Sequence, residues 1–289
     1  MSTPLLPACR REWPTSHSPE DLFRFVVEHI SGPLHGAPTS SPWVTSTSAT
    51  LHRTIVKRPK LETLEIDGRI LHNDFDVATS FARELRLLRT VTRHANIVEF
   101  YGHIDGVGLV IEAVDGVPIG SKIEGRPVPS DPTKLMWANQ LIRAIHHIHS
   151  FEVSHGDISS GNIIIDNEDN VKLIDFGRSA RAGEELFPTT HPFTAPDILQ
   201  SSHNPSLSDT YALGVLLLCL ERNEILEDMV APEELSRMAL PLFGHLVSRY
   251  TAKDGYARPK IDLAHLLPVS GEFICFIQLR CLNFAASVL

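Results

Sequence analysis

The sequence predicts an α+β chain of two unequal lobes, a small β-rich one followed by a larger, mainly helical one, with a cleft between them. Three observations carry that reading. Short strand-like runs dominate the first third of the chain, helical patterns dominate the rest, and a sharply punctuated segment at 153–177 interrupts the helices. A chain of 289 residues is long enough to bury more than one core. Its 43% hydrophobic and 21% charged residues match a folded rather than a disordered polymer.

Residues 1–48 read as an N-terminal extension. Ser18-Pro19-Glu20-Asp21 before LFRFVVEHI is a helix start with Pro in the first turn, and the Pro/Ser/Thr-rich stretch from Gly32 to Thr50 is a linker. Strand-like runs follow at Arg53–Lys57 and Leu64–Leu71, the second broken by an Asp67-Gly68 turn signal. Residues 75–92 carry the helical stripe Val77, Phe81, Leu85, Leu88, Val91. Strands are expected again at Ile97–Tyr101 and Gly108–Ala113, and an amphipathic helix at Leu135–His149. The 153–177 segment reads as a loop, a buried strand Ile163–Ile165, an Asp/Asn-rich turn, a strand Val171–Ile174 and a second loop. An apolar helix follows at Thr210–Leu220. The main domain is thus 49–268, with its first lobe to about 114 and its second at 115–268, and 269–289 form a tail too short and too polar to span a bilayer.

Composition excludes several classes of function. With 26 Lys+Arg against 35 Asp+Glu, the net charge of −9 leaves no electrostatic footprint for nucleic acid. No apolar run reaches membrane-spanning length, and MSTPLLPACRREWP lacks the apolar core of a signal peptide. The four cysteines, Cys9, Cys219, Cys275 and Cys281, show no CxxC spacing and read as free thiols, so a cytoplasmic protein is expected. His146, His147 and His149 cluster on one helix, but without a Cys or carboxylate array they do not make a zinc site.

The chemistry concentrates in VSHGDISSGNIIIDNEDNVKLIDFG. Asp157, Asn162 and Asp175 occupy loop positions flanking two apolar strands, where a buried hairpin fixes the orientation of polar groups. Oxygen ligands of this kind suit Mg²⁺, which usually shares them with phosphates. A turn or a cap explains a lone loop Asp; it does not explain the whole array.

The array resembles the eukaryotic-type protein-kinase signature, HxDxxxxN followed by DFG. His155, Asp157 and Asn162 fall at the required intervals, and Asp175-Phe176-Gly177 follows after strand, turn and strand. Thr190-His191-Pro192-Phe193-Thr194-Ala195-Pro196-Asp197 resembles the end of an activation segment, with Asp for the usual Glu. Asp209 in SDTYALGV and the late Arg258-Pro259 resemble further landmarks in family order. The resemblance covers about 50–268, and the style of the chain is similar to short kinase-like proteins of fungi. It implies a bilobal kinase-like fold, ATP and Mg²⁺ as cofactors, and a protein substrate. Asp157 would take the proton of the substrate hydroxyl, and Asn162 and Asp175 would bind Mg²⁺. His155 and Phe176 would pack the two loops together. Ile111 would back the adenine, and Glu112 and Val114 would offer it backbone groups.

Glu84 lies on the edge of the stripe at 75–92, where a buried carboxylate needs a cation. In kinases that cation is a strand lysine holding the α/β-phosphates. Lys57, ending TIVK, is preferred, with Lys60 as the alternative. The implied ion pair between Asp197 and Arg258 is expected to be partly buried, the shorter Asp requiring a closer backbone approach or a bridging water.

The departures are equally specific. No GxGxxG loop precedes Lys57, and the interval from Lys57 to Glu84 is long, with a hairpin at Leu61–Leu71 to account for it. Gly156 replaces the arginine of HRD, and Ser159 stands where serine/threonine kinases commonly carry a lysine at the γ-phosphate. Three readings follow: a divergent serine/threonine kinase, a pseudokinase used for binding or scaffolding, and a small-molecule kinase. The retained Asp157, Asn162 and Asp175 favour an enzyme, and the activation-segment match favours a protein substrate.

Overall fold

The computed structural model describes residues 53–59, 63–66, 69–72, 74–104, 107–184, 190–198, 204–235 and 237–268. The extension expected at 1–48, Lys60, the Asp67-Gly68 turn and the tail at 269–289 lie outside the described residues. The described residues divide into two compact units, one comprising those up to Arg93 with Val98–Val114, the other His94–Ile97 with those from Asp115.

In the first unit, β1 (Thr54–Lys57), β2 (Thr63–Ile66) and β3 (Arg69–His72) precede α1 (Asp74–Thr90), β4 (Phe100–Ile104) and β5 (Gly108–Glu112). The expected inserted hairpin is present: β2 and β3 pair antiparallel, Thr63 opposite His72 and Ile66 opposite Arg69. A separate antiparallel sheet runs β1-β5-β4, with Thr54 opposite Glu112 and Lys57 opposite Leu109. α1 buries Ala78, Phe81, Ala82, Leu85, Leu87 and Leu88, a wider face than the stripe predicts, because the alanines between the large residues are also covered.

The second unit begins with β6 (Gly116–Pro118), the short α2 (Ile119–Glu124) and α3 (Asp131–His149). β7 (Val153–Ser154), β8 (Ile163–Asp166), β9 (Val171–Leu173) and β10 (Ala180–Arg181) come next, then α4 (Pro205–Arg222), α5 (Pro232–Leu235) and α6 (Gly244–Tyr250). β6, β8 and β9 form one antiparallel sheet, and β7 pairs with β10. The Asp/Asn-rich turn works as expected of those residues: Asp166 Oδ1 accepts from the N–H groups of Glu168 and Asn170 at 2.9 and 2.7 Å, closing β8 onto β9. Fourteen residues of α4 are buried, the pattern of a helix apolar on every face. Among the described residues no helix is long and apolar enough to cross a membrane.

Three expectations are corrected. The strand expected at Ile97–Tyr101 lies at Phe100–Ile104. Residues 94–97 instead dock on β9: Asn96 Nδ2 donates to Val171 O, Leu173 N–H donates to Asn96 O, and Ile97 bridges to Leu173. The helices expected to start at Leu135 and Thr210 start at Asp131 and Pro205, because Ser130 and Asn204 accept from N–H groups of the first turn and a proline opens each helix. The third correction concerns burial. Asp197 and Arg258 meet directly, Oδ1 to Nη2 at 2.5 Å, with side chains 9% and 0% exposed. Arg258 also donates to Ala252 O, Leu207 O and Lys253 O, and its guanidinium lies 4.9 Å from the centre of the Tyr211 ring.

The shorter Asp reaches its partner because Gly255 stands beside it; a Cβ there would run into Asp197 Oδ2. Arg258→Ala strands a buried carboxylate and three carbonyls, and should cost about 3–5 kcal/mol in urea unfolding. Asp197→Ala should be of the same order, and the double variant should lose clearly less than the two single losses added. Simple additivity would mean that the two residues contribute independently.

Candidate functional site

In the first unit Lys57, the last residue of β1, reaches Glu84 of α1. Nζ donates to Oε1 at 3.0 Å and lies 2.8 Å from Oε2. Glu84 is 1% exposed and Lys57 29%, so the carboxylate is held inside while the amine keeps access to solvent. The pairing follows from register, since β1 sits against β5 and ends at Lys57. β5 carries Ile111, buried, and Glu112, whose N–H donates to Glu99 O at 2.9 Å; Ala113 N–H donates to Arg53 O, and Val114 follows.

In the second unit the loop between β7 and β8 is tied down at its start. The Asp209 carboxylate on α4 accepts from His155 N–H at 2.8 Å and Gly156 N–H at 2.9 Å, and His149 Nε2 lies 2.8 Å from it. Asp209 is 1% exposed, so these contacts replace the hydration that burial removed. The His155 ring is fully buried. Its Nδ1 accepts from Asp157 N–H at 3.2 Å and its Nε2 donates to Ile174 O at 3.1 Å, joining the loop to the residue before Asp175. Burial pushes the His155 imidazole below its usual range, against the pull of Asp209, Asp157 and Asp175, which fits the neutral tautomer those two bonds require. The rings of His155 and Phe176 lie 4.9 Å apart.

Asp157 and Asn162 are neighbours. Asn162 Nδ2 donates to Asp157 O at 2.9 Å and to Asp157 Oδ2 at 3.0 Å, and Ile174 N–H donates to Asn162 O. Facing Asp157 Oδ1 are the hydroxyl and N–H of Thr190, at 3.3 and 3.4 Å. The Arg178 Nε lies 3.9 Å from Asp157 Oδ2, a cation the sequence alone does not single out. Asp175 is exposed, with its backbone in the left-handed region at φ 61°, and Gly177 N–H donates to its Oδ1 at 3.3 Å. Among the described residues no three His, Cys, Asp or Glu side chains gather into a metal cluster. The donor set nevertheless suits a hard cation that shares its shell with phosphate: the amide nitrogen of Asn162 is turned to Asp157, which presents the amide oxygen, and Asp175 adds a carboxylate.

A family model described as protein kinase domain matches residues 68–254. The match begins after Lys57. A probable serine/threonine-protein kinase of Dictyostelium discoideum is 31% identical over 50% of this chain and 10% of its own length. Mitogen-activated protein kinase kinase kinase 3 of Arabidopsis thaliana is 30% identical over 47% of this chain and 22% of its own length. Testis-specific serine/threonine-protein kinase 4 of Homo sapiens is 28% identical over 48% and 49%, respectively. The chain thus spans half or less of each of these relatives.

The Asp209 contacts generate a direct test. Asp209→Ala leaves the N–H groups of His155 and Gly156 without their acceptor, which should cost about 2–4 kcal/mol in urea unfolding. An unchanged midpoint would show that the loop is held by its other bonds.

Proposed function

The chain belongs to the protein kinase family, and from that premise we propose that it is a serine/threonine kinase, transferring the γ-phosphoryl group of ATP to a protein hydroxyl. The observation that carries the proposal is the hydrogen bonding at Asp157, where Asn162 holds one carboxylate oxygen and the hydroxyl of Thr190 lies 3.3 Å from the other. A carboxylate fixed on one side and within reach of a hydroxyl on the other has the geometry a general base requires. In the transfer, the substrate oxygen bonds to the γ-phosphorus as the bond to ADP breaks, and the hydroxyl proton passes to Asp157. The serine/threonine assignment is supported by Thr190 beside the carboxylate and by the relatives named as serine/threonine kinases.

Asn162 and Asp175 are assigned to Mg²⁺, which when bound neutralises charge on the phosphate oxygens. In the first unit, Lys57 is assigned to the α/β-phosphates of ATP, and Glu84 positions it. Ile111, Glu112 and Val114 are assigned to adenine. The Glu112 N–H is already engaged by Glu99 O, so its contribution would come through the carbonyl.

Radiolabelled ATP with a mixed Ser, Thr and Tyr peptide library tests the proposal. Label should enter Ser and Thr peptides and not Tyr peptides. Asp157→Asn should lower the rate by about 10²–10⁴-fold while the protein stays folded. Asp175→Asn should remove the dependence on Mg²⁺ of thermal stabilisation by ATP. A folded wild-type chain that labels no peptide, or an Asp157→Asn variant at full rate, would overturn it.

A further inference from the structure

We propose that the cavity between α4, α5 and α6 binds a small amphiphilic carboxylate, an unbranched apolar chain ending in one acid group. The cavity measures about 680 Å³, inside the range of pockets that enclose small organic ligands. It shares no residue with the sites assigned to the base, Mg²⁺ and ATP, so it stands whether or not the chain transfers phosphate.

The lining falls into an apolar part and a donor part. Met229, Val230, Leu235, Met238 and Leu240 make the first, from α5 and the segments on either side of it. Each of the five is only half-buried, so together they leave a contiguous apolar surface in one concave space. Hydrocarbon placed there releases water from both surfaces, and the two unbranched methionines adjust to its shape.

The donor part holds Tyr211 and Lys253. Tyr211 of α4 is 5% exposed, yet its hydroxyl makes no hydrogen bond among the described residues. A buried phenol normally finds a partner, and at the edge of a cavity a ligand can supply it. Burial raises the pKa of this phenol against the pull of Arg258, which keeps it a donor at neutral pH. Lys253 is the only charged residue among those lining the cavity. Its side chain is exposed and makes no ion pair among the described residues.

Arg258 holds these two residues side by side. Its guanidinium lies 4.9 Å from the centre of the Tyr211 ring and donates to Ala252 O at 2.7 Å and to Lys253 O at 3.2 Å. The charge of Arg258 is itself paired with Asp197, which leaves the Lys253 amine as the cation for an acid group. One carboxylate accepts from an ammonium and a phenol at once, and its hydrocarbon then lies along the apolar part. A cationic amphiphile would meet Lys253 with like charge, and a neutral alcohol would leave the amine unpaired.

Isothermal titration of the full chain with decanoate, decanol and decyltrimethylammonium tests the proposal. Decanoate should bind with one-to-one stoichiometry, decanol about tenfold or more weakly, and the cationic analogue not at all. Lys253→Met, which keeps the apolar stem and removes the charge, should weaken decanoate to about the level of decanol. Tyr211→Phe should weaken it about threefold or more. Ser248 of α6 is an exposed residue of the lining, so Ser248→Trp should fill the space and abolish binding in a chain that still unfolds cooperatively in urea. Equal affinity for decanoate and decanol, or decanoate binding untouched by Ser248→Trp, would overturn the proposal. So would a folded chain that binds no decanoate. Binding seen only after removal of residues 269–289 would overturn it in favour of that tail as the occupant.

Discussion

Burying a carboxylate inside a helix as apolar as α4 is unfavourable unless each oxygen finds donors, and Asp209 finds them in the backbone of another segment. Two consecutive N–H groups, of His155 and Gly156, turn towards it, and His149 on α3 completes the set. The position of the loop between β7 and β8 is thereby coupled to the packing of α4, the most buried described helix in the second unit. From that anchor the remaining contacts follow in sequence. His155 orders Asp157 and Ile174, and Asn162 then locks the side chain of Asp157. A loop assigned to carry a base must not drift by an ångström. Here it is pinned through its backbone, which leaves its side chains available for chemistry.

The first unit meets a related problem with an ion pair. Glu84 is almost wholly buried on α1, and Lys57 brings a cation to its carboxylate. The β2–β3 hairpin lengthens the chain between the two residues without disturbing their meeting, because the register of β1 on β5 sets where Lys57 ends. An insertion at that point is tolerated, since extra loop length costs little entropy once the strands are fixed. A slip of one residue in β1 would be a different matter. It would turn Lys57 to the other face of the sheet and strand the glutamate.

What could be read beforehand divides along physical lines. Periodicity located α1, α3 and α4, and the spacing of His155, Asp157, Asn162 and Asp175 located the loop chemistry, because both signals are local. Helix starts were misplaced where the cap lay outside the apolar pattern, as at Ser130 and Asn204. Ile97 read as the start of a strand because it and Val98 are apolar, yet residues 94–97 belong to the second unit, where Asn96 is hydrogen-bonded to Val171 and Leu173. Arg178 gave no signal of its own. An arginine after a DFG is one charge among 26 basic residues until a fold brings it to Asp157. Contacts between residues distant in the chain are the part that periodicity and spacing do not encode.

The departures from the kinase pattern acquire a common form when taken in pairs. At Asp197 the carboxylate is one methylene shorter than usual, and Gly255 removes the side chain that would keep it away from Arg258. At Gly156 a side chain is again missing, and the space admits the backbone of Arg178, whose charge lies beside Asp157. In each place a glycine lets another segment approach closely, and a cation and a carboxylate come within reach of one another. Taken alone, Gly156 and Ser159 are losses of charge from the loop. The segment that follows Asp175 nevertheless brings a cation to that loop, since Arg178 Nε lies 3.9 Å from Asp157 Oδ2.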